Sequence, residues 1–171
     1  MKYLEEESTA NAVGEILEVK ESTPGLNIML ETYSLKMTKK ERKCSRSGKY
    51  RSMSSMISAA LNLLFSDYEI RVTFRELKII SEEECKADLT NKLFTTGMTK
   101  NYQEMSDWIE SVLAVIKKCA GDDISIIRVN IRSGPFEKYN WNECIAAHGR
   151  ALKRVVLFTV LYSSSAESPL L

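Results

Sequence analysis

The sequence predicts an α+β domain, with a mostly antiparallel sheet of about four to five strands packed against three to four helices. Three observations lead there. Apolar residues recur at i, i+3 and i+4 in several stretches, as one face of a helix requires. Elsewhere they alternate at period two, as a half-buried strand does. Only some of the intervening helices are long enough for parallel crossovers, which favours antiparallel pairing. The chain has 171 residues, 44% of them hydrophobic and 27% charged, which is an ordinary globular balance. That length lets a single domain bury roughly two-thirds of the surface its unfolded form exposes.

Residues 1–25 are expected to form an acidic, partly flexible arm, residues 26–163 one domain, and residues 164–171 a polar tail. Within the arm, Ala12, Val13, Ile16 and Leu17 repeat at helical spacing, so a short amphipathic helix and a flexible segment both fit. Ser22-Thr23-Pro24-Gly25 is a strong turn. Residues 28–37 alternate and read as a strand. Met53, Met56, Ile57, Ala60, Leu61 and Leu64 form one stripe of a helix with serine at its start as a cap. Residues 68–80 switch to period two, with Tyr68, Ile70, Val72 and Phe74 on one side. Ser81 and Glu84 have capping-box spacing and open a helix through Leu93.

Residues 103–119 carry the clearest helical stripe: Met105, Trp108, Ile109, Val112, Leu113 and Ile116. Lys117 and Lys118 suit its C-terminal dipole, and Gly121 stops it. Residues 124–131 read as a strand, Ser133-Gly134-Pro135 as a turn, and Asn140 with Glu143 as the cap of a short helix to about Gly149. Residues 155–162 are apolar on both faces, as in a central strand.

Little in this chain matches an enzyme site. Cys44, Cys85, Cys119 and Cys144 are 41, 34 and 25 residues apart, too far for the short spacings of zinc or redox motifs. Their even number leaves a disulfide framework formally open, with three connectivities. Three glutamates, Glu5 to Glu7, follow soon after Met1-Lys2, which does not suit a secretory signal, so reduced thiols and a cytosolic setting are expected. Residues 155–162 are far short of the ~20 that a membrane span needs. The seven glycines stand outside any phosphate-loop pattern. Asp122-Asp123 and Glu82 to Glu84 lie at helix ends, where acids serve caps and turns. The single histidine, His148, follows Cys144 by four residues. On a helix the two would share a face, where a thiolate nucleophile could form. The plainer reading places Cys144 in the core and His148 at a helix C-terminus. No cofactor, metal or catalytic residue is expected.

Charge is the one functional signal. The net charge is +1, but it is unevenly spread. Residues 1–35 hold seven acids against two bases, a local −5, and the acids include Glu5, Glu6, Glu7, Glu15 and Glu18. Residues 36–51 hold eight bases, Lys36, Lys39, Lys40, Arg42, Lys43, Arg46, Lys49 and Arg51, against Glu41, a local +7. Such a segment attracts anionic headgroups at about 1 kcal/mol per base, or phosphates through counterion release. It can also simply balance the acidic arm. Ser45 and Ser47 lie inside it, and phosphorylation there would cancel part of the charge. Tyr50 is the one interleaved aromatic, too few for a base-stacking platform.

The order of elements resembles that of rhabdovirus matrix proteins, especially the short ones of plant-infecting members. The residues carrying the resemblance are Tyr33-Ser34-Leu35-Lys36-Met37-Thr38 running into a basic turn, and a helix with the Ala59-Ala60 step. A strand over 68–80 follows, then a closing strand–helix–strand over 124–162 that contains Trp141. The chain departs from the family's animal-virus members in its acidic N-terminus. With only Pro24, Pro135 and Pro169, it also lacks a proline-rich budding motif. The resemblance implies a viral structural protein in the virion and host cytoplasm, peripheral to membrane. It would self-associate as a homo-oligomer and bridge a nucleoprotein–RNA core to an anionic membrane surface. The eight bases would make the membrane or nucleic-acid contact, and the five acids named above would contribute to self-association. The alternative is a small non-enzymatic regulatory or adaptor domain that binds RNA or a protein partner through the same loop.

Overall fold

A computed structural model describes residues 2–4, 23–35 and 52–163. Among them are six strands and three α-helices: β1 (Lys2–Leu4), β2 (Leu26–Ser34), α1 (Met53–Leu64), β3 (Leu77–Ile80), α2 (Glu82–Phe94), α3 (Tyr102–Ala120), β4 (Ile124–Val129), β5 (Trp141–Gly149) and β6 (Arg154–Tyr162). Single 3-10 turns occur at Phe74–Glu76 and Gly134–Phe136. The strands form one sheet in the order β1-β2-β6-β5-β4-β3, and every neighbouring pair is antiparallel. The α+β class stands, with six strands where four to five were expected.

The local signals that set the helices act as the sequence implies. Ser52 Oγ accepts from the Ser55 N–H (3.3 Å) and Ser81 Oγ from the Glu84 N–H (3.1 Å). The Glu84 carboxylate turns to Lys78 at 2.6 Å, so only half of the expected capping box forms. Helix α3 starts at Asn101, whose side chain accepts from Gln103 N–H, and stops at Gly121 (φ 99°). The Thr23–Gly25 turn delivers the chain into β2, with Leu26 N–H donating to the Thr23 carbonyl at 3.2 Å.

Alternating side chains divide the sheet into two apolar layers. Val156, Phe158 and Val160 of β6 meet Leu89, Leu93, Ile109, Val112 and Ile116 of α2 and α3. Val155, Leu157 and Leu161 face the other way, toward Ile57, Ala60 and Leu61 of α1 and toward Ile70, Val72 and Phe136. Ala146 and Ala147, one on each face of β5, are both essentially fully buried, and their small side chains let both layers approach.

Two expected elements come out differently. Residues 141–149 form β5 instead of a short helix. Residues 143–147 are buried without interruption, because β5 lies between β4 and β6 with a layer on each face. Central burial erases the period-two signal and leaves an apolar run that can be read either way. The expected strand over 68–80 shrinks to Leu77–Ile80. Of its expected apolar side Ile70 and Val72 are buried while Tyr68 and Phe74 are exposed, and the backbones of the buried pair bond to side chains of α1. Asn62 donates to the Ile70 carbonyl (2.9 Å) and accepts from its N–H (2.6 Å), while Ser58 Oγ accepts from Val72 N–H (2.8 Å). Helix side chains thus stand where a neighbouring strand would.

The end of α3 rests on the end of β5 with no room to spare. A Cβ added at Gly149 would lie 1.8 Å from the Ala120 carbonyl oxygen. Gly149→Ala is therefore expected to destabilise the fold by about 2–3 kcal/mol, because backbone must shift to relieve the overlap. Urea unfolding checks this, and a midpoint equal to wild type would show that the two ends can separate freely.

Candidate functional site

A charged seam runs between the sheet and α2. Arg128 of β4 points toward α2, where its Nε donates to Glu143 of β5 (2.8 Å) and its guanidinium pairs with Asp88 and, at 3.7 Å, with Glu84. Lys92, near the end of α2, bonds the other oxygen of Glu143, and Lys78 holds Glu84. Three cations thus meet three carboxylates. The Glu143 side chain is only 3% exposed, and a buried carboxylate persists only when paired and hydrogen-bonded. Burial works against the charge on Arg128. The carboxylates of Glu143 and Asp88 outweigh it, so the pKa stands above the usual guanidinium value.

At one end of this seam lies a cleft of about 490 Å³. The chain leaving β4 crosses the end of the sheet through the 3-10 turn at Gly134–Phe136 before entering β5. Phe136 is buried there and meets Phe65 edge-on at 5.3 Å. The buried Val129, Ile131 and Phe136 line the cleft together with Asn130, Arg132, Trp141, Asn142 and Glu143. Tyr139, Glu137 and Lys92 complete the lining. Trp141 is braced by Tyr162, with ring centroids 5.8 Å apart. Among the described residues, Arg132 has no ion-pair partner, and the side-chain amides of Asn130 and Asn142 have no intramolecular hydrogen bond.

A second exposed feature is the open edge at β3. Phe74 is 82% and Ile79 73% exposed, unusually high for large apolar side chains placed so near one another in sequence. The Asn130 N–H donates to the Glu76 carbonyl at 2.8 Å. By antiparallel alternation, the N–H and C=O of Ile79 then point away from β4.

The eight bases expected to contact an anionic partner (Lys36, Lys39, Lys40, Arg42, Lys43, Arg46, Lys49 and Arg51) all lie outside the described residues. So do Glu5, Glu6, Glu7, Glu15 and Glu18, Ser45, Ser47 and the apolar repeat at residues 12–17. Cys144 and His148 sit on strand β5 and not on one helical turn. Same-face residues four apart on a strand are about 13 Å from each other, so the shared helical face vanishes. Burial pushes the thiols of Cys144 and Cys85 up to about 12. No group of three or more metal-ligating side chains occurs among the described residues, and no helix among them is long and apolar enough to cross a membrane.

The acids at helix ends have structural partners: Glu82 reaches Lys117 at 2.5 Å, and Glu84 reaches Lys78. Sequence reasoning missed the seam and the cleft. The available signal was Glu143 inside an apolar run. A carboxylate there demands a cation, and Arg128, opposite Ile145 in the β4–β5 register, lies on the same face one diagonal step from Glu143.

Three outcomes are expected from this geometry. Arg128→Met leaves Glu143 buried with Lys92 alone and should cost about 3 kcal/mol in urea unfolding; Lys86→Met, at an exposed pair with Glu110, should show no measurable loss. The Cys85 and Cys144 thiols should resist an aromatic disulfide reagent at pH 8 until the chain is unfolded, as peptide mapping would reveal. Burial, and next the charge of Arg150, lower the pKa of His148, with Asp123 acting in the opposite sense. A histidine that resists protonation when folded contributes stability above the unfolded-state value near 6.5 and loses it as pH falls below that. Stability should therefore drop between about pH 7.5 and about pH 5.5 more steeply in wild type than in His148→Leu.

No protein-family model matches the sequence, and no curated protein does. Solved structures do match the fold. Two crystal structures of citrus MAF1, in space groups C 2 2 21 and P 31 2 1, superpose with TM-scores of 0.67 and 0.68. Each is 18% identical, and each match covers 90% of this chain and 99% of the citrus chain. This finding overturns the resemblance to rhabdovirus matrix proteins, and with it the viral structural role and the virion and host-cytoplasm location. The shared order of strand, basic segment, helix and closing strands was too coarse a descriptor: residues 141–149, matched there as a helix, are a strand.

Proposed function

We propose that this chain is a small non-enzymatic regulatory domain of the MAF1 type, a repressor of RNA polymerase III, acting by docking onto a larger protein assembly. The observation that carries the reading is the fold correspondence with citrus MAF1, which spans 99% of the citrus chain and not a shared fragment of it. The likeness favours regulation over a structural viral role. The chemistry of the described residues agrees with docking. Cys144 is a buried thiol on a strand far from His148, whereas the amphipathic cleft and the β3 edge offer surfaces for a partner. The basic residues of 36–51, with a local charge of +7, would draw in an acidic surface of that partner, which raises encounter rates and makes binding sensitive to salt.

The test adds the purified full chain to a reconstituted transcription reaction from a polymerase III template, with a polymerase II template alongside. Selective inhibition is expected at stoichiometric chain, together with co-elution of chain and polymerase. Joint neutralisation of Lys39, Lys40, Arg42 and Lys43 should weaken inhibition severalfold and flatten its salt dependence. Equal or absent effects on both templates at tenfold excess, with no co-elution, would remove the reading.

A further inference from the structure

The geometry points to the cleft beside β5 as a docking site for an extended peptide segment of a protein partner, one carrying a large apolar side chain close to an acidic residue. This rests on the docking reading above and gives it a location. The cleft's volume, about 490 Å³, lies within the range that encloses a ligand of several side chains. Its chemistry selects among ligand classes. The lining residues Lys92 and Arg132 are matched by Glu137 and Glu143, so the cleft is formally neutral. A polynucleotide draws its affinity from phosphates neutralised and counterions released, and a neutral lining supplies little of either.

A peptide finds complementary groups instead. The half-buried rings of Tyr139 and Trp141 offer apolar surface to an inserted side chain, and Tyr162 keeps Trp141 in place. Asn130 and Asn142 each carry a donor and an acceptor with no intramolecular hydrogen bond among the described residues, and a side-chain amide matches the N–H and C=O of a peptide group. Arg132 lines the cleft and forms no ion pair among the described residues, and its planar fork suits a carboxylate bidentately. Lys92 is already held by Glu143, so of the two lining cations Arg132 is the one left to pair with a ligand carboxylate. Rigid surroundings of this kind reduce the ordering cost of binding.

The experiment pans a random dodecapeptide display library on the full-length chain and measures synthesised winners by fluorescence polarisation. A pool of single-stranded RNA is selected in parallel. The expected consensus places a large apolar residue within about three positions of Asp or Glu, a reach set by the extended rise per residue. Binding should weaken at least tenfold in Arg132→Glu, less in Arg132→Lys, and severalfold in Asn142→Ala, with Lys86→Glu unchanged. Winners should shift Trp141 emission. Urea midpoints of each variant establish that the exposed Arg132 substitutions leave the fold intact.

Four results would overturn the proposal: no consensus, a basic consensus, winners insensitive to Arg132→Glu but lost with Ile79→Lys at the β3 edge, or an RNA ligand displaced by Arg132→Glu. A clear peptide consensus with no effect on transcription would retain the cleft and remove the regulatory reading. Transcriptional repression unaffected by Arg132→Glu would do the reverse.

Discussion

Everything else in the structure is built on the pairing of β5 with β6. The two strands run side by side in nine-residue register, from Trp141 opposite Tyr162 to Gly149 opposite Arg154, and β2 extends the same ladder along the whole of β6. With helices on one face and α1 plus two loops on the other, residues 155–161 are buried without a break. No side chain from Val155 to Leu161 has a wet face to retreat to. Volume and polarity must therefore be settled internally. Alanines stand where the layers come close, Thr159 Oγ1 donates to the Cys144 sulfur at 3.8 Å, and Glu143 requires cations brought from β4 and α2. Burial of this extent is the dominant favourable contribution to the fold, and it constrains every neighbouring element.

The charged seam follows from that constraint, and it connects stability to the candidate site. Removing a carboxylate from water is tolerable only with good geometry and with its remaining lone pairs satisfied. Arg128 and Lys92 meet both conditions by taking one oxygen each. Lys92, which lines the cleft, is thereby tied to Glu143. The connection from β4 to β5 gains a rigid base on which Trp141, Asn142 and Arg132 are displayed. The β4–β5 loop carries Arg132 and the start of β5 carries Trp141 and Asn142, so the sheet itself helps hold the site in position.

The overturned likeness to matrix proteins illustrates how little a string of elements specifies. Strand, helix, strand, two helices and closing strands describe many α+β domains, and a fold does not by itself carry a function. What separates the readings is pairing. The sheet order β1-β2-β6-β5-β4-β3 puts the last strand in the middle and the first at the edge, information that exists only in three dimensions. The seam and cleft arise from the same pairing, since residues 88, 92, 128 and 143 come together through β4–β5 register and the packing of α2.

Local physics was readable from the amino acids alone. The stripes of α1 and α3, the serine caps of α1 and α2, the glycine stop at Gly121, the turn before β2 and the buried character of β6 all depend on neighbours within a few residues. So did the uneven charge of the first third of the chain. Three features were left to the tertiary structure. Residues 141–149 became a strand because burial on both faces overrode a cap-like Asn140 and helix-compatible alanines. Residues 68–73 stayed out of the ladder because Asn62 and Ser58 answered their backbone. Arg128, Glu143 and Lys92 became partners because strands distant in sequence lie about 5 Å apart in a sheet. Sequence spacing measures distance along the chain, whereas burial and ion pairing depend on distance through space, and only folding converts one into the other.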